Sequence, residues 1–148
     1  RDAKTAELAA RAALTGHLVF STLHTDNAVE SVMRLEDLGV PSYLISAVLR
    51  GVISQRLIRR VCTECGGAGC KACAHTGGKG RIAVAEIFPI DESFAEAVYT
   101  RASPRELYRQ RKQKGLPSMY EDARDKMRQG IITQQEIARV LGAPPVEV

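Results

Sequence analysis

The chain has 148 residues, of which 45% are hydrophobic and 26% are charged, and its formal net charge is +4. This composition excludes a disordered chain and fits one globular domain or two small ones. Aromatic residues make up only 5% and Trp is absent, so few rings could stack on bases, which disfavours a nucleic-acid-binding protein. No run approaches the roughly 18 apolar residues of a membrane span, and the first residues do not resemble a signal peptide, so we expect a cytosolic protein.

The first segment is rich in alanine and predicts a helix over residues 2–15, capped by Asp2 and ended by Gly16. Its apolar side should carry Leu8, Ala9, Ala12 and Ala13. Residues 17–23 form an apolar run without alternation, which predicts a short strand covered on both faces. This strand should end in a polar turn at residues 24–27.

Two further helices are predicted before residue 55. Asp26 or Asn27 can cap the first of them, and Gly39 can end it. The second should run through residues 41–53, which are apolar almost all round, so we expect it to be buried. The order helix, strand, helix, helix predicts one side of an α/β sheet.

The second half of the chain predicts a strand followed by helices. Residues 81–88 read as the strand, which Pro89 ends. Three capping boxes mark helix starts and pair Ser103 with Glu106, Ser118 with Glu121, and Thr133 with Glu136. The glycines just past the three helix ends are Gly115, Gly130 and Gly142. Residues 81–148 therefore predict a strand plus a C-terminal helical subdomain.

Four cysteines with the spacing Cys-x2-Cys-x4-Cys-x2-Cys carry the strongest signal: Cys62, Cys65, Cys70 and Cys73. Each Cys-x2-Cys pair can turn two sulfurs toward one point, and a tetrahedral zinc ion needs two such pairs. Gly66, Gly67 and Gly69 should help the short link fold back. A closed four-thiolate shell leaves no position for water, so the zinc would be structural. Reduced buried cysteines and a redox dithiol are the alternatives, and His75 is a bystander rather than a fifth ligand.

Two histidines bracket the predicted strand, His17 and His24. Ligands of open α/β sheets bind beyond the carboxyl ends of the strands, so His24 could contact a phosphate or hold a catalytic water. A histidine with a structural hydrogen bond is the commoner alternative for each. The chain has no G-x-x-x-x-G-K-[ST] loop, so we do not expect it to hold a nucleotide unaided.

Several segments resemble type II secretion and type IV pilus-assembly ATPases. Residues 15–19 (TGHLV) and 21–25 (STLHT) are similar to the segment that follows the Walker B motif in that family. Further landmarks follow in the family's order: Arg34-Leu35, Leu38-Gly39, Gln55-Arg56-Leu57, the four cysteines, Gly80-Arg81 and Glu86. Two departures are the short four-residue link between the cysteine pairs and Gly78, where the family commonly has an aromatic residue.

The resemblance implies the C-terminal part of a motor ATPase with an α/β fold. Residues 1–60 would be the C-terminal part of a RecA-like ATPase core, with part of its parallel sheet, its helices and the two histidines. Residues 61–80 would be a four-cysteine zinc module, and residues 81–148 a strand plus the helical subdomain. The phosphate loop and the glutamate that activates water would lie upstream of residue 1, so this chain alone should be inactive. The cofactors would be zinc here, and ATP and magnesium in the full-length parent. His24, and less firmly His17, become catalytic candidates near the nucleotide.

The implied partners are the other subunits of a hexamer and the inner-membrane platform proteins of a secretion or pilus machinery, without nucleic acid. The protein would be cytoplasmic and would lie at the inner membrane through these partners. Retraction-type pilus motors usually lack the four cysteines, which favours a motor for secretion or pilus assembly. The alternative is a stand-alone zinc-dependent protein-interaction module, since the glycines between Cys65 and Cys70 resemble the repeats of chaperone zinc fingers.

Overall fold

The structure, a computed structural model, describes residues 2–143 and combines seven α-helices with two strands. In chain order the elements are α1 (Ala3–Leu14), α2 (Ala28–Asp37), α3 (Ser42–Val48), β1 (Gly51–Val61), a 3-10 turn (Lys71–Cys73), β2 (Gly78–Pro89), α4 (Glu92–Tyr99), α5 (Pro104–Gln113), α6 (Met119–Arg128) and α7 (Gln134–Leu141). The fold is therefore mixed α/β. Within the described residues, no helix is long and apolar enough to cross a membrane.

The described chain divides into two units. The first unit takes the residues up to Ser54 together with Ile87–Leu116, and the second takes Gln55–Glu86 together with the residues from Pro117 onward. The first unit contains α1 to α5 and the second contains α6 and α7, while each holds part of both strands.

The two strands form an antiparallel hairpin. At one end the Cys62 N–H donates to the Gly77 carbonyl at 2.8 Å, and at the other the Ile90 N–H donates to the Arg50 carbonyl at 3.1 Å. Such pairing of opposite ends is what an antiparallel register requires. In the second unit, carboxylates from the helices occupy the outer edges of this ribbon. Glu136 accepts from the Arg59 N–H at 3.2 Å and Asp122 accepts from the Ala85 N–H at 2.9 Å, which protects both edges from further pairing.

Helix caps begin most helices as the sequence predicts. Asp2 accepts from the Thr5 N–H at 2.9 Å, and Asn27, one of the two predicted caps, accepts from the Glu30 N–H at 2.9 Å. Ser103, Ser118 and Thr133 cap α5, α6 and α7. The reciprocal capping box is present at Ser118, whose partner Glu121 accepts from its N–H at 2.6 Å. The other two glutamates bond arginines instead, Glu106 with Arg109 and Glu136 with Arg139.

Each unit buries its own apolar side chains. In the first unit one cluster consists of Ala10, Val32, Val40, Leu44, Ile45 and Val98. A second cluster there consists of Ala28, Val29, Phe88, Phe94, Ala97 and Leu107. The second unit packs Ile58, Val84, Met119, Ala123, Ile132 and Ile137. Complete burial of a side chain such as Phe94 or Ile137 contributes about 1.5–3 kcal/mol to folding.

The predicted strand at residues 17–23 is wrong for the described structure. The segment has no regular secondary structure, and Leu18 and Phe20 are 79% and 88% exposed. A buried strand needs neighbours on both edges and both faces, whereas β1 and β2 pair with each other. The RecA-like parallel sheet is accordingly not confirmed among residues 2–143, where the sheet is the antiparallel hairpin.

Two helix predictions also need correction. The third helix ends at Val48 rather than continuing to residue 53, because the chain from Gly51 onward pairs with β2 as strand β1. This strand pairing overrides the helical pattern of its apolar residues. In α1 the predicted apolar side is wrong at Leu8, which is 70% exposed, and it misses the buried Ala10. The other three predicted residues, Ala9, Ala12 and Ala13, are half-buried.

Candidate metal centre and candidate catalytic histidines

The four cysteines meet at one end of the hairpin. Their sulfur atoms all lie within 4.8 Å of one another, and all four are free thiols. The sulfurs of Cys62 and Cys70 are 4.0 Å apart, those of Cys65 and Cys73 are 3.9 Å apart, and those of Cys70 and Cys73 are 3.8 Å apart.

These separations fit a tetrahedral zinc ion. With Zn–S bonds of about 2.3 Å, the sulfurs of a tetrahedral site lie about 3.8 Å apart. A disulfide would need about 2.05 Å, so the described geometry does not contain a cystine. The donor set is four thiols, the ligands that select zinc in structural sites. His75 is exposed and lies outside this cluster.

Backbone N–H groups point at two of the sulfurs. The Gly69 N–H donates to Cys65 Sγ and the Cys70 N–H donates to Cys73 Sγ, both at 3.2 Å. The bond from the Cys70 N–H, with smaller contributions from Gly77 and the neighbouring thiols, lowers the pKa of Cys73 to about 6. Hydrogen bonds of this kind favour the thiolate, which is the form that binds a metal.

Glycine backbones allow the two halves of the cysteine loop to approach closely. Gly66, Gly67 and Gly69 all have positive φ, at 58°, 96° and 94°, as their predicted role in folding back the link requires. Gly77 has φ +74°, and a Cβ built on it would lie 2.4 Å from the Gly67 carbonyl oxygen. Sequence reasoning did not single out Gly77, although its position between the last cysteine and β2 was a signal that a tight turn is needed there.

The four cysteines differ in how deeply they are buried. Cys62 is completely buried and Cys73 is buried, while Cys65 and Cys70 are half-buried. The Val61 N–H donates to the Ile131 carbonyl at 2.8 Å, which ties the base of the loop to the connection between α6 and α7.

His17 lies at the C-terminal end of α1. Its Nδ1 atom is 3.1 Å from Thr15 Oγ1 and 3.2 Å from the Ala12 carbonyl oxygen, and its ring is exposed. These contacts place His17 among the groups that satisfy the last carbonyls of a helix.

His24 lines a cleft of about 250 Å³ together with Leu23, Arg34 and Leu38. Arg34 and Leu38 are four residues apart, at the end of α2 and its cap, so one helix face supplies both. Arg34 and Leu38 are among the residues that carry the family resemblance, but the sequence alone does not predict that they lie beside His24. The signal that could have found them is this four-residue spacing on the helix that follows the histidine.

Residues 1–139 match the model of the family described as Type II/IV secretion system protein. The chain belongs to this family. The recognition of secretion and pilus-assembly ATPases from the sequence is thereby confirmed.

Relatives of this chain within the Type II/IV secretion family include secretion and pilus proteins. The chain is 42% identical to the type II secretion system protein HxcR of Pseudomonas aeruginosa, over 95% of this chain and 32% of that protein. It is 38% identical to the type IV pilus assembly ATPase PilB of Thermus thermophilus, over 93% of this chain and 18% of that protein. The chain thus spans a third or less of these relatives.

Solved structures of a pilus retraction motor and of an ATPase have a similar fold. The pilus retraction motor PilT with bound ADP matches with a TM-score of 0.72 at 26% identity, over 97% of this chain and 37% of that one. The ATPase DotB of Legionella pneumophila matches with a TM-score of 0.69 at 28% identity, over 92% of this chain and 35% of that one.

Proposed function

We propose that this chain is the C-terminal portion of a hexameric motor ATPase that powers pseudopilus or pilus assembly and protein export. The observation that carries the proposal is the family match through residues 1–139, with 42% identity to HxcR. Its partners would be identical subunits of the hexamer and inner-membrane platform proteins. The motor itself would be cytoplasmic, and the platform proteins would hold it at the inner membrane. The match runs through the four cysteines and beyond them on both sides, which favours this function over a stand-alone zinc-dependent interaction module.

The four cysteines would hold one structural zinc ion. Three sulfur pairs are 3.8–4.0 Å apart and all four sulfurs lie within 4.8 Å of one another, which supports this proposal. The backbone N–H groups that donate to two of the sulfurs support it as well. When bound, zinc would supply a cross-link between the two halves of the loop, and the cysteines would supply all four ligands. The role would be to hold the hairpin end in shape.

In the whole motor, His24 would be the principal catalytic residue of this chain, and His17 the second candidate. The cleft beside His24 supports this, because two groups that suit a phosphate oxygen line it. One is the His24 ring, which can donate a hydrogen bond, and the other is the charged guanidinium of Arg34. ATP with magnesium would supply the γ-phosphoryl group, and His24 would hold its oxygen or the attacking water in position. His17 is the weaker candidate, since its ring already contacts the end of α1.

The test is ATP hydrolysis by the full-length motor carrying His24→Ala. We expect kcat to fall at least about tenfold, since a tenfold loss corresponds to about 1.4 kcal/mol of barrier. His75→Ala is the matched control, because this histidine is also exposed but lies outside both the cleft and the cysteine cluster. A motor with His24→Ala and an unchanged kcat would assign this histidine a structural role instead.

A further inference from the structure

The helix that follows His24 buries one hydroxyl group among apolar side chains. The buried residues of α2 are Ala28, Val29, Ser31 and Val32, and Ser31 is 5% exposed. A hydroxyl removed from water costs free energy unless it is hydrogen-bonded, and alanine would fill this position without that cost. The presence of Ser31 on the apolar face therefore requires an explanation other than packing.

The partner of Ser31 is the residue directly after His24. Ser31 Oγ and Thr25 Oγ1 share a hydrogen bond of 2.8 Å, and Ser31 Oγ lies 3.4 Å from the Asn27 carbonyl oxygen. The Thr25 side chain is half-buried and Ser31 is buried, so the bond is shielded from water on the Ser31 side.

The same turn is held at further points. The Asp26 N–H donates to Glu30 Oε2 at 3.1 Å, and the Asp26 carbonyl oxygen lies 3.5 Å from the hydroxyl of Ser54, itself a buried residue. Residues 17–23, by contrast, have no regular secondary structure in the described chain. The contacts that hold this turn therefore begin with the Thr25 side chain, one residue after His24.

Helix capping does not account for the bond between Ser31 and Thr25. Asn27 already accepts from the Glu30 N–H at 2.9 Å, and Glu30 in return accepts from the Asn27 side chain at 2.6 Å. Asn27 thus supplies the side-chain cap of α2, and Ser31 takes no part in that bond. The hydroxyl pair instead ties the residue directly after His24 to helix α2.

We propose that Ser31 is a positioning residue, which acts through Thr25 to hold His24 toward the cleft that Arg34 also lines. This inference rests on the catalytic role proposed for His24. The buried hydroxyl pair restricts the backbone rotation of Thr25, and the Cα–Cβ direction of His24 depends on that backbone. Loss of the pair should leave the cleft intact but spread the histidine over several orientations.

The test is a double-mutant cycle in the full-length motor. Ser31→Ala should lower kcat about fivefold and change KM for ATP by less than about twofold, the size expected for one lost hydrogen bond that orients a catalytic group. Ser31→Thr keeps the hydroxyl and should restore kcat to within about twofold. In the His24→Ala background, adding Ser31→Ala should change kcat by less than about twofold, because the histidine that it positions is gone. Ser46→Ala is the matched control, a helical serine of the same unit that bonds the Tyr43 carbonyl at 2.9 Å.

A second readout does not depend on activity. In this chain, histidine side-chain NMR should show changed His24 ring resonances on Ser31→Ala, while those of His75 stay in place. If Ser31→Ala prevents folding, Thr25→Val breaks the same bond from the other partner and should give the same pattern.

The outcomes separate the two proposals. An equal loss of kcat from Ser31→Ala with and without His24 would make the hydroxyl structural and overturn the inference. A normal kcat for Ser31→Ala in a motor that needs His24 would overturn the inference alone. A motor that retains full kcat after His24→Ala would refute the proposed role of the histidine, and the positioning role would fall with it.

Discussion

Replacement of Gly77 by alanine tests how the cysteine loop is closed. Gly77 has φ +74°, and a Cβ on it would lie 2.4 Å from the Gly67 carbonyl oxygen, a backbone atom that no side-chain rotation can remove. Gly66 provides a matched control in the same loop, because its φ is +58° and nothing lies within 4 Å of the Cβ position. Both variants force alanine into the left-handed region, but Gly77→Ala alone adds a clash.

The cost of a left-handed backbone and the cost of the clash can be estimated separately. An L-residue in the left-handed region costs about 1–2 kcal/mol, which both variants share. Overpacking against fixed neighbours adds about 1–3 kcal/mol, which we assign to Gly77→Ala alone. The variants should therefore differ by roughly 1–3 kcal/mol in stability, or about 2–12 °C in Tm at about 2–4 °C per kcal/mol for a chain of this size.

The assays are thermal unfolding at fixed free zinc and competition for zinc with a chelator of known affinity. If the clash distorts the thiolate cage, Gly77→Ala should bind zinc roughly tenfold to hundredfold more weakly than Gly66→Ala, at about 1.4 kcal/mol per tenfold change. Equal Tm values and equal zinc affinities for the two variants would show that the close approach of Gly67 and Gly77 does not hold the site together.

Four further predictions follow from the same structure. Purified protein should contain one zinc per chain by elemental analysis, and Cys70→Ser should lower both the zinc content and Tm; a metal-free wild type would contradict the site. Hydrogen bonding to Lys114, then to the Phe94 N–H, lowers the pKa of Asp91 from 3.8 to about 2. This folded-state pKa lies below the unfolded value, so its stabilisation is complete above pH 3.8 and is lost as pH falls toward 2; Asp91→Asn, which can still cap α4, should flatten Tm in that range. The chain alone should release no phosphate from ATP, because it contains no Walker A loop, and metal-dependent release above the blank would refute this. The exposed Leu14, Leu18 and Phe20 should cause self-association at micromolar concentration, and a constant monomer mass by light scattering over about a hundredfold dilution would contradict it.

Local chemistry made the cysteine loop and the helix starts predictable. The spacing of the four cysteines fixes which sulfurs can converge, and the structure brings all four within 4.8 Å. Asp2, Asn27 and Ser118 act as caps because each bonds an N–H three residues ahead, a distance that depends on local sequence alone. The contribution of Gly77 was not predictable in the same way, since its neighbour Gly67 lies ten residues earlier and approaches only when the loop has folded.

The apolar run at residues 17–23 marks the limit of such reasoning. The sequence predicts that other elements pack against both faces of this segment. Those elements lie elsewhere in a structure, and no local sequence pattern specifies them. In the described chain β1 and β2 pair with each other and not with residues 17–23. Leu18 and Phe20 are therefore 79% and 88% exposed. The turn after His24 is different, because Thr25 and Ser31 lie six residues apart and can meet as soon as α2 forms. The anchors of the candidate histidine therefore lie on its C-terminal side, where contacts are local, while its N-terminal side depends on cover that the local pattern does not specify.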